Sequence, residues 1–351
     1  RVWELGLAQS VCFDETYFGS FTNCYLNGTY FVDVHPPLGK LILFWGGCLF
    51  GYSGTLSFPE PRRGQQYEDG SFVRLRLVNC VFSSCVGVCL YVFLRENGAS
   101  RISGVIVGVL MGMDDVLVTE GRFILTDGIL HFGVGVALVG IGWLMSGCGK
   151  GAGGEARLIL SAILTGTVMC MKQTAWGLCP MAVMMLYVGT GGNLTRLVRY
   201  GVYLAMGFTL IYVGSYEIHM QKLPKMSKDS FSVCGELYEW ILSSTEEQKR
   251  VWEKCRSRPL LERVWVLTRY VHAINFGDLE EGEEDRYAWW DFVGGWKETL
   301  TFSVNTPTPI VEHLCVPNVL IVVMSVITGL VQLWFIGMKE CEGGEVDRRW
   351  S

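Results

Sequence analysis

Residues 128–147, GILHFGVGVALVGIGWLMSG, carry no charged side chain, and neither do residues 77–93, LVNCVFSSCVGVCLYVF. Crossing a bilayer takes a helix of about 20 apolar residues, whereas an apolar run of about 10 to 14 is more often a one-faced core helix. Both stretches are apolar nearly all round, so this is a membrane chain. Composition agrees: 50% of the 351 residues are hydrophobic, 18% are charged and 43 are glycine. The mean hydropathy of +0.31 is high for a soluble protein.

Working outward, the pattern predicts spans at 73–94, 102–118, 123–146, 157–173, 174–191 and 199–216, and another at 318–338 before a charged tail. Residues 38–52 are apolar but short, which fits an interfacial or re-entrant segment. The chain thus divides into a loop region with interfacial helices (1–72), a transmembrane core (73–216), a polar segment (217–317) and a final span with its tail (318–351). Lys and Arg in short loops favour the cytoplasm. Arg95 with Arg101, Lys150 with Arg157, Arg196 with Arg199, and the tail cations Lys339, Arg348 and Arg349 all fall on one side. The carboxylate-rich segments 1–72, 114–127 and 217–317 fall on the other, predicted luminal, side. Of two glycosylation triplets, Asn27-Gly28-Thr29 is then luminal and Asn193-Leu194-Thr195 cytosolic. The chain opens on Arg1 without a signal-peptide pattern and reads as a piece of a longer protein, with further spans expected on both sides.

Several function classes are excluded. No basic patch interleaved with aromatics favours nucleic acid, and the net charge of -5 is mild. The 13 cysteines include no CxxC pair, which argues against zinc; disulfides among Cys12, Cys24, Cys234, Cys255 and Cys315 stay open. Residues 147–154 are glycine-rich but lack the strand and the Lys-Ser/Thr of a phosphate loop. Neither inverted repeats nor mid-membrane charges indicate a transporter.

The chemistry concentrates in Phe13-Asp14-Glu15-Thr16-Tyr17-Phe18-Gly19 and Tyr30-Phe31-Val32-Asp33-Val34-His35-Pro36-Pro37-Leu38-Gly39-Lys40. Two adjacent carboxylates are followed by an Asp, a His and a Lys around a Pro-Pro that fixes the backbone. A carboxylate beside a weak nucleophile can serve as general base, though such a pair is also compatible with a solvated loop. Arg122 lies between apolar runs, and a charge at the bilayer centre costs about 2.5–3.5 kcal/mol. It therefore belongs at an interface, in a cavity or on an anion; an end-of-span anchor is the plain alternative. Asp114, Asp115 and Asp127 flank it and fit bracing, acceptor binding, a divalent ion or a polar turn.

These segments closely resemble the first luminal loop of the protein O-mannosyltransferase family, the dolichyl-phosphate-mannose–protein mannosyltransferases. The likeness continues through Asp114-Asp115-Val116-Leu117-Val118-Thr119-Glu120-Gly121-Arg122-Phe123-Ile124-Leu125-Thr126-Asp127, the span entry with Arg76, Lys172 before a short hairpin, and Tyr216-Glu217-Ile218-His219. It covers about residues 1–235 well and thins to about 338. The resemblance implies an all-α polytopic fold of the GT-C type in the endoplasmic reticulum membrane, with a luminal site. It implies mannosyl transfer from dolichyl phosphate mannose to Ser/Thr hydroxyls of secretory polypeptides. The β-linked donor and α-linked product imply inversion in one displacement, with Asp14 as base and Glu15 orienting Asp14 or the sugar. Arg122, His35, Lys172, Arg76 and Lys40 are the expected phosphate-binding residues, supported by Asp33, Asp114, Asp115 and Asp127. No metal-ligand set or cofactor is implied, a divalent cation is compatible, and a dimer with itself or a paralogue is expected. Departures exist: the 217–317 segment is too short for the family's MIR domain, its His-Pro-Tyr patch is not evident, and its Gly-Asn-Pro is reduced to Val316-Pro317-Asn318. The alternatives are a non-catalytic partner subunit and a related polyprenyl-phosphate-sugar transferase with another acceptor.

Overall fold

The computed structural model describes residues 2–12, 14–58, 66–146, 152–189, 192–227, 245–276, 300–304 and 311–315. The expected span at 318–338, the acidic run from Asp278 to Asp285 and the cationic tail lie outside the described residues.

Helix α1 (Glu15–Asn27) follows Asp14 directly and buries Phe18, Thr22 and Tyr25 on one stripe. Gly19 is the point where the Phe58 ring lies against α1: a Cβ there would meet Phe58 Cε1 at 2.2 Å. The helix ends at Gly28, whose φ of 74° is the left-handed conformation that glycine adopts freely and whose N–H returns to Cys24 O. Pro36-Pro37 then leads into α2 (Leu38–Leu49), the short apolar segment expected at 38–52.

The bundle begins with α3 (Phe72–Ser84) and α4 (Val86–Glu96), which continue through Cys85 as one stretch long and apolar enough to cross a membrane. Next come α5 (Arg101–Gly112), α6 (Asp115–Glu120), α7 (Asp127–Ser146) and α8 (Ala152–Met169). A 3-10 turn, Gln173–Gly177, leads into α9 (Leu178–Gly189), and α10 (Leu194–Lys222) completes the bundle. Beyond it lie α11 (Thr245–Arg256), α12 (Leu260–Phe276) and one antiparallel hairpin, β1 (Leu300–Val304) with β2 (Val311–Cys315), Leu300 opposite Cys315. The described chain is therefore helical apart from that hairpin. By length and composition Phe72–Glu96, Asp127–Ser146 and Leu194–Lys222 can cross a membrane; Leu38–Leu49, Arg101–Gly112 and Gln173–Val188 are apolar but shorter.

Two expected spans are corrected. The one at 102–118 is broken, because Asp114 adopts an extended conformation and its side chain accepts Leu117 N at 3.0 Å, starting α6 afresh. The one at 123–146 starts only at Asp127: Asn79 Nδ2 donates to Glu120 O at 2.7 Å and Phe123 O at 3.1 Å and holds the preceding turn open.

Helix α7 is central, with 56% of its apolar window buried against 33% for Phe72–Glu96 and 17% for Leu194–Lys222. Its Gly133, Gly135, Ala137, Gly140 and Gly142 let neighbours approach closely, as small residues do where lipid offers no hydrophobic drive for helix pairing. α4 and α5 touch at Gly87 and Gly108: a Cβ on Gly87 would lie 2.5 Å from Gly108 O. The outward side chains of α5 and α10, among them Ile102, Val105, Val202, Met206 and Leu210, are exposed and apolar, as a lipid-facing surface requires.

The exit of α10 is stitched to the segment after α1. Tyr30 N donates to Lys225 O and Lys225 N to Gly28 O, both at 2.8 Å. α11 closes over the same point, with Trp252 Nε1 on Pro224 O at 3.1 Å and Arg256 Nη1 on the same oxygen at 2.8 Å. Cys255 is disulfide-bonded, whereas Cys12 and Cys24 carry no disulfide.

Candidate active site

The Asp14-Glu15 pair separates into two environments. Glu15, the first residue of α1, points into the core and is fully buried. Its Oε1 accepts Arg76 Nε at 2.7 Å and Ile124 N at 2.9 Å. Its Oε2 accepts Arg76 Nη2 at 2.8 Å, Cys12 N at 2.9 Å and the Tyr67 hydroxyl at 3.0 Å. A buried carboxylate needs such compensation, and this one ties together α1, α3, the 66–67 segment and the turn after α6. Glu15 is therefore a scaffold anchor; of its two expected roles, the burial removes contact with the sugar.

Arg76, expected on the phosphate, is corrected for the same reason. Besides its two bonds to Glu15, Nη1 donates to Leu5 O at 3.3 Å and Ala8 O at 2.6 Å, and Nη2 to Ser10 O at 3.2 Å. All five guanidinium donors are used in the interior. Lys40 is corrected likewise: its ammonium pairs with Asp33 and donates to His35 O at 2.7 Å and Pro36 O at 3.2 Å, so its three donors pin the Pro-Pro loop. Burial pushes the Asp33 carboxyl up, but the Lys40 ammonium outweighs it and holds the group below its ordinary value.

Asp14 behaves differently. It is half-buried, and its carboxylate makes no hydrogen bond or ion pair among the described residues, while its backbone carbonyl accepts Tyr17 N and Phe18 N as α1 begins. Burial pushes its carboxyl above the usual value; Lys172 opposes this, and Asp127 and Asp33 add to it. These charges act on Asp14 because the turn before α7, the turn after α8 and the 33–40 loop converge on the start of α1. Lys172 pairs with Asp127 at 2.8 Å, joining the turn after α8 to the start of α7.

His35 belongs to the same cluster, as a neutral ring. Burial lowers its pKa to about 4, aided by Lys40 and Lys172 and opposed by Asp33 and Asp127, so the ring is neutral at pH 7. Its Nδ1 is buried without a hydrogen-bond partner among the described residues. A cleft between the 30–40 loop, α10 and α12 is lined by Asp33, His35, Lys40, Tyr216, His219 and Val271. His219 is held by the Tyr25 hydroxyl at 2.7 Å and Phe31 O at 3.2 Å, the geometry of a structural imidazole.

Arg122 is half-exposed; Nη1 donates to Trp3 O at 2.8 Å and Nη2 to Glu4 O at 3.0 Å. The bond from Ile124 N to Glu15 fastens its turn to the start of α1, next to Asp14. Of the flanking aspartates, Asp127 holds Lys172, Asp114 caps α6 and Asp115 is exposed in the first turn of α6. Among the described residues no group of three or more His, Cys, Asp or Glu is arranged to hold a metal ion.

Three residues of the cluster were missed from sequence. Tyr67 completes the Glu15 network, and Asn79 pins the Glu120–Phe123 turn. An amide inside an apolar run was the available signal for Asn79. Glu120 lies 3.9 Å from His131 Nδ1, and burial, then Asp127 and Asp114 against Lys172, push its carboxyl up to about 7.

The sequence profile described as dolichyl-phosphate-mannose-protein mannosyltransferase matches residues 1–213. Among curated relatives, dolichyl-phosphate-mannose–protein mannosyltransferase 4 of Schizosaccharomyces pombe is 36% identical over 140 residues, covering 39% of this chain and 18% of its own. Protein O-mannosyl-transferase 2 of Danio rerio is 35% identical over 132 residues, covering 38% and 17%. Dolichyl-phosphate-mannose–protein mannosyltransferase 3 of Saccharomyces cerevisiae is 37% identical over 133 residues, covering 38% and 17%. The chain thus spans less than a fifth of the length of these relatives. The solved S. cerevisiae protein O-mannosyltransferase Pmt1-Pmt2 complex bound to the sugar donor matches with a TM-score of 0.57 and 23% identity, over 65% of this chain and 33% of that one. That likeness assigns the fold, a multi-pass helical membrane protein of the GT-C type. With more than half of its residues matched by the family profile, the chain belongs to the dolichyl-phosphate-mannose-protein mannosyltransferase family.

Proposed function

We propose that this chain carries the donor half of an inverting mannosyl transfer from dolichyl phosphate mannose to Ser/Thr hydroxyls of polypeptides in the endoplasmic reticulum lumen. The observation that carries the reading is Asp14: a half-buried carboxylate without a hydrogen-bond donor among the described residues, beside the Lys172–Asp127 pair. An unengaged carboxylate with a raised pKa is a stronger base than a solvated one.

In the proposed step the acceptor hydroxyl oxygen attacks the anomeric carbon. The bond from that carbon to the phosphate oxygen breaks, the hydroxyl proton passes to Asp14, and the electron pair leaves on dolichyl phosphate. Lys172 and Arg122 offset the phosphate charge near the membrane face, where low dielectric strengthens such contacts. Neutral His35 offers a hydrogen bond instead of a charge. Glu15, Arg76, Lys40 and Asp33 hold the two loops that carry these groups, and Asp127 holds Lys172. One base suffices for a single displacement. The disulfide at Cys255 supports the lumen as the compartment, since disulfides persist where the environment is oxidising. The short-loop Lys and Arg residues support the same sidedness. A paralogous second chain is the proposed partner, because the solved neighbour is a complex of two such subunits.

The test is transfer from radiolabelled dolichyl phosphate mannose by the full-length protein in membranes, with peptide, glycan and lipid acceptors in parallel. The reading expects labelled peptide carrying α-linked mannose. Label on glycan or lipid alone would transfer the chain to the related glycosyltransferase alternative. No transfer by any preparation, partner included, would favour a non-catalytic subunit.

A further inference from the structure

The two Asn-x-Thr triplets sit at opposite ends of the bundle. Asn193 is the N-cap of α10, its side chain accepting Arg196 N at 3.1 Å. The 29 residues of α10 make a rod of about 43 Å, longer than the roughly 30 Å hydrocarbon core. At its far end Lys225 is hydrogen-bonded to Gly28 and Tyr30, so the triplet Asn27-Gly28-Thr29 is stitched to the opposite membrane face. Only one of the two can face the compartment where N-glycosylation occurs.

The disulfide decides which. Cys255 is on α11, and α11 is fastened to Pro224 just beyond α10 by Trp252 and Arg256. An oxidised cysteine marks that face as the lumen. Asn27 shares it, and its side chain is exposed at the last position of α1. Gly28, in the left-handed conformation, turns the chain sharply after it.

We infer that Asn27 is an N-glycosylation acceptor and that Asn193 is not. The donor class is a lipid-diphosphate-linked oligosaccharide. A bond forms between Asn27 Nδ2 and the sugar's anomeric carbon, the bond from that carbon to the diphosphate oxygen breaks, the diphosphate leaves with the electron pair, and one amide proton is released to base. The inference is independent of the catalytic role of Asp14 and shares with it only the sidedness.

The experiment is expression of the full-length protein in cells with an endoplasmic reticulum, followed by endoglycosidase digestion and electrophoresis. Any triplets outside these 351 residues are removed beforehand. Wild type is expected to lose one glycan's mass on digestion, Asn27→Gln to run at the digested position untreated, and Asn193→Gln to behave as wild type. A double variant, Glu68→Asn with Gly70→Thr on the Asn27 background, places a triplet in another exposed part of the first loop. If that variant is modified and Asn27 is not, the inference fails while the luminal site stands. If Asn193 is the modified residue, or neither first-loop triplet is, the inference and the luminal placement fail together.

Discussion

Replacing Glu15 with Gln is nearly isosteric, yet the structure predicts a severe effect. The two carboxylate oxygens accept five hydrogen bonds, two on Oε1 and three on Oε2. Whichever way the amide turns, its NH2 faces at least two donors. Arg76, 1% exposed, then keeps its charge in the interior without an anion. Removing one partner of a buried pair costs about 3–5 kcal/mol. At about 2–4 °C per kcal/mol for a domain of this size, melting should fall by roughly 6–20 °C. The assay is thermal unfolding in detergent with a thiol-reactive fluorogen, because Cys12, Cys80, Cys89 and Cys170 are buried thiols, not disulfide-bonded, that become reactive only on opening. Glu15→Leu combined with Arg76→Met should recover most of the loss, since apolar replacement of a whole buried pair is often neutral. A Glu15→Gln protein melting within about 2 °C of wild type would refute the assignment of Glu15 as the anchor.

Three further outcomes follow from the site and the packing. The Lys172 charge lowers the Asp14 pKa, so Lys172→Met should move the acid limb of the pH–rate profile to higher pH, whereas an unmoved limb would uncouple the two residues. His35, held at about 4 by burial, is neutral throughout pH 5–8, so His35→Gln should lower the rate without removing a limb near 6.5; disappearance of such a limb would show that the imidazole titrates there. Gly87→Ala should destabilise the bundle by about 1–3 kcal/mol, because its Cβ meets Gly108 O at 2.5 Å, while Gly214→Ala, with nothing within 4 Å among the described residues, should not; equal melting of the two would refute the close α4–α5 contact.

The membrane class was legible because uncharged runs such as 77–93 leave little alternative in water. The motif residues were legible as a group, and Asp14, Lys172, Asp127 and His35 do converge. Individual roles were not. Arg76 and Lys40 looked like phosphate cations because sequence shows a charge but not how many of its donors are already used. The carbonyls that occupy Arg76 come from Leu5, Ala8 and Ser10, and nothing local announces such distant partners. The break in the 102–118 span hinged on one side chain, Asp114, choosing a helix cap over a brace for Arg122. Glu120 and His131 lie on separate helices and meet only through the fold.

The most direct test is the single-turnover rate of mannosyl transfer by Asp14→Asn, measured with saturating radiolabelled donor and a Ser/Thr peptide. Because the Asp14 carboxylate makes no hydrogen bond among the described residues, the variant should melt like wild type and bind donor. Its rate should fall by about 10²- to 10⁴-fold, the usual contribution of a general base. A variant that transfers mannose at the wild-type rate would contradict the central claim.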